Sequence, residues 1–439
     1  MEEAPLKRIF IHAALLPMVE GQEDVIRDGA LGIEGDTISY LGPVPEESVL
    51  AQYDEVIDMS GKAILPGLIN THGHAAMSLL RGYADDLPLQ TWLQEKIWPL
   101  EAKFTAKQVF DGTALSVLEM IKSGTTCFLD MYDHMDQVGK VVEESGIRAR
   151  LCRGAIGLCS EAEQEAKLQE TVQFAIDWNG QADGRITTML APHSPYTCSP
   201  SYIEKFVEKA AELNLPIHTH MSETRAEVEQ NVRDYGLRPV EHLRRLGFFD
   251  LPALVAHAVH LTDEEIDILA EYNVKVAHNP GSNLKLGSGI APIPKMLERG
   301  IRPGLATDGA ASNNNLDMLE EIHLAAMIHK GANQDPIAVP ALTALRMGTS
   351  YGAESLFLDQ QIGTLETGKK ADFITIDLSG PHMQPLHDIV SHLVYSASRG
   401  DVCDMYVDGR PIMRNREVLT LDEEKICHEA MKSFEAMTR

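Results

Sequence analysis

Between about residues 64 and 310 the chain repeats one unit, a short β-rich segment followed by an amphipathic stretch. That alternation constrains the fold more than any other feature, because strands separated by helical crossovers must run parallel. Eight segments fit: AILPGLINTHGH from Ala63, TTCFLDMYD from Thr125, RARLCRGAIG from Arg148, ITTMLAPHS from Ile186, PIHTHMSE from Pro216, ALVAHAVH from Ala253, VKVAHNP from Val274 and RPGLATDGA from Arg302. The intervening helices have readable ends. TAKQ at Thr105 and TDEE at Thr262 are capping boxes, Ser199 caps a helix with Pro200 at its first position, and Gly124 stops the helix before it. The expected fold is α/β, a (β/α)8 TIM-like barrel over residues 64–365.

The two ends read differently. RIFIHAALL, GALGIEGDTISYLG and DEVIDMSGKAI near the start, and KADFITIDLSG and DVCDMYVDGRPIM near the end, look like short antiparallel strands with Gly-Asp turns. Neither end has enough apolar residues for its own core. Residues 1–63 and 366–439 are therefore expected to join as one small β-sandwich domain, with the barrel inserted between its halves.

Composition narrows the partners. A formal net charge of −27 repels nucleic acid and anionic membranes, and no basic patch interrupts it. The six cysteines are dispersed without CxxC spacing, which predicts reduced thiols and a cytoplasmic location. No signal peptide and no apolar run long enough for a membrane span is visible. The sequence leaves open whether the chain forms a homo-oligomer.

In a barrel of this kind, function sits where strands end and loops begin. The first segment ends in His72 and His74, spaced to converge on one point. The fifth carries His218 and His220 on one face with Glu223 just beyond; the sixth brings His257 and the eighth Asp308. Imidazoles and a carboxylate from separate strands suit one borderline-soft divalent metal with a position left for water. Singly, each residue also reads as a hydrogen-bonded core histidine or a turn aspartate. Their coincidence at matching strand ends favours the metal.

The segments PGLINTHGH, HTHMSET, AHAVHLTDEE, AHNPGSNLKLGSGIAPI and TDGAASNN together resemble the amidohydrolase superfamily, and within it the 5-methylthioadenosine/S-adenosylhomocysteine deaminases. The resemblance runs essentially end to end. It implies a mononuclear site, usually zinc, held by His72, His74, His220 and Asp308, with Glu223 as acid/base and His257 as a transition-state and proton-transfer group. It also implies that Asp308 accepts a proton from the attacking water. Roles in supporting the ligands or in packing fall to His218, His260 and His278. Two-metal members carry a bridging lysine on the fourth strand; ITTMLAPHS has none and offers His193.

For substrate, Glu101 matches the position that accepts the two ribose hydroxyls, Arg153 and His193 match substrate-contacting positions, and Trp92 could wall the purine or thioether. Lys167, on a helix, could reach the amino-acid carboxylate of S-adenosylhomocysteine, although a helical lysine is most often merely solvated. The implied reaction is hydrolytic deamination of the adenine ring of a small nucleoside. The rivals are another aminohydrolase of the superfamily, acting on guanine, another purine or pyrimidine or a triazine, and a scaffold that has lost the chemistry.

Overall fold

The computed structural model describes residues 5–22 and 25–438. All eight expected parallel strands form, in two sheets. One joins Leu68–Asn70, Thr125–Tyr132 and Arg148–Ala155, with Ile186–Thr188 and Ala191–Pro192 both paired to Arg148–Ala155. The other joins Ile217–Met221, Ala253–His257, Lys275–His278 and Gly304–Leu305 in chain order. The expectation of one continuous eight-stranded sheet is thus met only in part. Both seams are crossed by only a few backbone bonds: His218 N–H donates to Leu190 O at 2.9 Å, Leu190 N–H to Pro216 O at 3.1 Å and His220 N–H to His193 O at 3.0 Å at one, and Thr71 N–H to Leu305 O at 3.0 Å and Asp308 N–H to His72 O at 3.2 Å at the other. The seams are thin for a local reason. The fourth strand breaks at Met189 and Leu190, and the eighth stops after two residues, just before Asp308 turns to a φ of +60°.

Between the sheets lies a buried apolar layer that includes Ile69, Leu129, Met131, Met189, Leu254 and Ala277, closed by Leu356, Leu358 and Ile362. Helices cover the outside, and the expected caps are present. Thr105 with Gln108 and Thr262 with Glu265 form capping boxes, and Ser199 accepts from Tyr202 N–H with Pro200 following.

Strands from both chain ends form one nine-stranded mixed sheet. Lys62–Pro66 sits at its middle, parallel to Lys7–Leu15 and antiparallel to Phe373–Asp377. Its core includes Phe10, Phe373 and Tyr406, the last two stacked with centroids 4.6 Å apart. The Asp408-Gly409 hairpin turn needs glycine, since φ is +67° and a Cβ there would collide with Gly35 O. The final helix, Glu423–Thr438, leaves this sheet and lies along Ala106–Lys122, where Lys107 pairs with Glu429 at 3.1 Å and Ser433 bonds Asp111.

Candidate active site

The C-terminal ends of the parallel strands bring His72, His74, His218, His220, His257 and Asp308 together. The first strand ends at Asn70, so His72 and His74 occupy its continuation, their rings nearly perpendicular with centroids 4.8 Å apart. Alternation along Ile217–Met221 puts His218 and His220 on one face. His257 and Asp308 have φ of +73° and +60°, and Ser222, beside Glu223, +54°. Such left-handed backbone costs free energy in a non-glycine residue and persists where the surroundings over-determine it.

Hydrogen bonds fix which nitrogen of each neutral ring bears the proton. His218 Nδ1 faces the Leu254 carbonyl at 3.0 Å and must donate, so its Nε2 accepts from His72 Nδ1 at 2.9 Å. His74 Nδ1 donates to Met131 O at 2.6 Å and His220 Nδ1 to His193 O at 2.8 Å. In the neutral rings the Nε2 atoms of His72, His74 and His220 are therefore left as lone pairs. His72 Nε2 is buried without a hydrogen-bond partner, and those of His74 and His220 face each other at 3.3 Å. Asp308 Oδ1 lies 3.5 Å from His72 Nε2 and 3.3 Å from His74 Nε2. Its Oδ2 accepts from Ser282 and Ser312 hydroxyls at 2.7 and 2.9 Å.

Lone pairs aimed at one another around a carboxylate call for a positive charge. Burial lowers the His72 pKa to about 4, whereas at His74 burial is outweighed by Asp308 and the pKa rises to about 9. For Asp308 burial works upward, but the nearness of His72 and His74 holds its carboxyl well below the usual range. A proton on His74 balances the cluster in part; a dication with nitrogen and oxygen donors satisfies every donor atom at once. The arrangement fits such an ion.

Glu223 stands beside this cluster, buried, with Oε2 3.8 Å from His257 Nε2 and Oε1 accepting from Ser288 Oγ at 3.3 Å. Burial raises its pKa above the usual carboxylate range. Its position is set by Glu227, whose carboxylate accepts the N–H groups of Ser222 and Glu223, both at 2.9 Å. His257 is oriented by Asn283, its Nδ1 2.9 Å from Oδ1.

A cavity of about 470 Å³ opens from the cluster to the surface, lined by His74, His220, Glu223, His257 and Asp308. Trp92, Glu101, Arg153 and His193 line it too. Glu101 receives a short hydrogen bond from Tyr132, and burial raises its pKa. Trp92 is mostly buried, donating to Ala84 O at 3.0 Å. Arg153 pairs with Asp133 and Glu170 at 3.2 and 3.0 Å. Burial lowers the His193 pKa to about 3, so the ring is neutral. Of the accessory histidines, His260 bonds Ser288 O and His278 bonds His329.

Lys167, for which the sequence leaves open a substrate contact or a solvated lysine, lines the same cavity; its Nζ donates to Ile156 O at 3.0 Å. Helical spacing alone did not show which way it faces. Tyr132, Ser282 and Ser312 were also missed. Only Tyr132 carried a signal, as a polar residue at the end of a strand.

The profile of the Amidohydrolase family matches residues 63–412, and the chain belongs to that family. It is 54% identical over 396 residues to the 5-methylthioadenosine/S-adenosylhomocysteine deaminase of Halalkalibacterium halodurans, covering 90% of each chain. It is 53% identical over 397 residues to that of Dictyoglomus thermophilum, covering 90% of this chain and 92% of the relative. These matches bear out the resemblance read from the motifs. Among solved structures, an adenosine deaminase from Xanthomonas campestris with bound zinc aligns at a TM-score of 0.91 and 34% identity, covering 99% of both chains. A triazine hydrolase variant, 24% identical with a TM-score of 0.91 over 98% of this chain and 99% of its own, shares the fold.

Proposed function

We propose that the protein is a zinc-dependent aminohydrolase that converts the adenine ring of 5′-methylthioadenosine, S-adenosylhomocysteine or adenosine to hypoxanthine and releases ammonia. The observation that carries this reading is a pair of overlapping ligand groups, His72 with His74 and Asp308 and His72 with His220 and His257, joined where the Nε2 atoms of His74 and His220 lie 3.3 Å apart at the end of a cavity that also holds Glu223 and Glu101. The relatives' names and the zinc in the adenosine deaminase structure support it.

His72, His74, His220 and Asp308 would hold the ion. When bound, it makes hydroxide available near neutral pH by lowering the pKa of water from ~15.7 to near 7. Asp308 stands where it can take the proton that the attacking water gives up. Glu223, whose carboxyl burial makes easier to protonate, would donate to N1 of the purine and make C6 more electrophilic. His257, its Nε2 3.8 Å from Glu223, would stabilise the charge that develops on the oxygen added at C6. A proton delivered to the exocyclic nitrogen releases it as ammonia. Glu101 suits the vicinal diol because a carboxylate accepts two hydrogen bonds; Trp92, Arg153 and His193 form the surrounding wall.

In the same reading the two parallel sheets are halves of one barrel, residues 64–365. The mixed sheet folds into a small sandwich from residues 1–63 and 366–439. A cytoplasmic location agrees with six free cysteines, and among the described residues no helix is long and apolar enough to cross a membrane.

An ammonia-release screen over adenosine, methylthioadenosine, S-adenosylhomocysteine, guanine and cytosine tests the function. Release from the adenine nucleosides is expected; release from guanine or cytosine alone overturns the reading. Glu101→Gln sharpens it. Losing a charge-assisted bond of about 1.5–3 kcal/mol should lower kcat/KM for methylthioadenosine roughly 10- to 150-fold. A 2′,3′-dideoxy analogue should show far less difference, and equal losses on both would remove Glu101 from the ribose.

A further inference from the structure

Glu321 is a buried acid that does not line the cavity, and the chemistry above gives it no part. It sits on the helix Met318–Asn333 with its carboxylate between two short helical segments, Pro280–Lys285 and Ala310–Asn313, that follow the seventh and eighth strands. Oε2 accepts from Gly281 N–H at 2.9 Å, and Oε1 accepts from Asn313 Nδ2 at 2.7 Å.

Each of those residues adjoins a group that touches the cluster. Gly281 precedes Ser282, whose hydroxyl donates to Asp308, and Asn283, which orients His257. Asn313 follows Ser312, the second hydroxyl on Asp308, and its Nδ2 also donates to Thr307 O at 2.8 Å, just before Asp308. The approach at Gly281 is close: a Cβ there would collide with Glu321 Oε1 and lie 2.7 Å from Asn313 Oδ1. Asp308 itself is held at positive φ, so its position depends on restraint from outside.

We propose that Glu321 is a positioning residue that ties the segment after the seventh strand to the segment after the eighth, and through Ser282 and Ser312 fixes Asp308 as a metal ligand. An apolar side chain would fill the same space but join neither segment. Glutamine would present an N–H to one of two N–H donors, so it should keep one tie and lose the other. Partners that orient metal ligands typically change metal affinity by 10- to 100-fold when removed.

The inference rests on the metal-site reading, so zinc uptake by the unaltered protein is measured first, by competition with a chromophoric chelator. No uptake there would defeat that reading. With uptake established, Glu321→Gln should weaken zinc about tenfold and lower kcat while KM changes less than about twofold. In a Ser282→Ala/Ser312→Ala background the same change should add little, since its path to Asp308 is already cut. Unchanged zinc affinity with only a lower melting temperature, or a full additive loss in the serine background, would overturn the assignment. Glu321→Ala should be weaker still, and if it does not fold, the glutamine variant decides.

Discussion

Two buried charge clusters lie at opposite ends of the parallel strands. At the N-terminal end, Arg148, the first residue of the third strand, donates through Nε and Nη2 to Asp372 at 2.7 and 3.1 Å and through Nη2 to Asp408. Asp372 Oδ1 also takes the Asp408 N–H at 2.8 Å. The side chains of both Arg148 and Asp372 are at most 2% exposed. The cluster gives each of its charged groups a hydrogen-bonded partner and joins the parallel strands to the mixed sheet. At the other end, His72, His220 and Asp308 are nearly as buried and His74 is partly so, but their bonds to neighbours fix the rings and leave lone pairs unanswered. Burial is common to both. What separates a structural cluster from a binding one is whether the protein supplies every partner.

The comparison breaks first at His220. His220→Ala removes the fifth-strand donor, and the expected outcome is loss of bound zinc together with all measurable ammonia release, with folding retained; full zinc content on elemental analysis would contradict it. Arg148→Met should do the reverse. Stranding two buried carboxylates costs about 3–5 kcal/mol, read as a lower denaturation midpoint, while the molecules that remain folded keep their zinc. Equal loss of zinc and stability would mean that the two ends are not separate.

A smaller effect is expected at Glu223, beside the unanswered cluster but outside the proposed ligand set. Glu223→Gln should keep the metal and lose turnover by ~10²-fold or more, as for a lost proton shuttle. Near-normal turnover would show that another group protonates the ring. The smallest effect is a slope. Burial pushes the Glu321 pKa up to about 8 from 4.5, so between those values the folded state holds a proton that the unfolded chain has released. Stability from this group is therefore full at low pH and falls as pH rises toward 8. Glu321→Gln should flatten that part of the denaturation midpoint's pH dependence, and an unchanged slope would deny the shift.

Much of the fold was legible because it depends on short-range pattern. Eight strand segments, the caps at Thr105, Ser199 and Thr262, and the pairing of the two chain ends follow from periodicity and turn chemistry close in sequence. The thin seams were not legible, since they depend on where single residues such as Leu190 and Asp308 leave the extended conformation. At the site, the histidines stood out because a ligand type recurred at strand ends. Ser282, Ser312 and Glu321 did not. Each is an ordinary residue whose partner lies elsewhere in the chain, and only the folded geometry brings them together.

The mixed sheet also sets a timetable for synthesis. Lys62, on its central strand, reaches Asp404 across 342 residues. At the usual ribosomal pace of about 5–20 residues per second, the early strands wait roughly 17 to 70 s for their neighbours. During that interval Lys62–Pro66 exposes an unpaired apolar edge to every other nascent chain nearby. Slow translation between the two halves, or a shortage of chaperone, should therefore lower the yield of folded protein more than the stability of the finished molecule suggests.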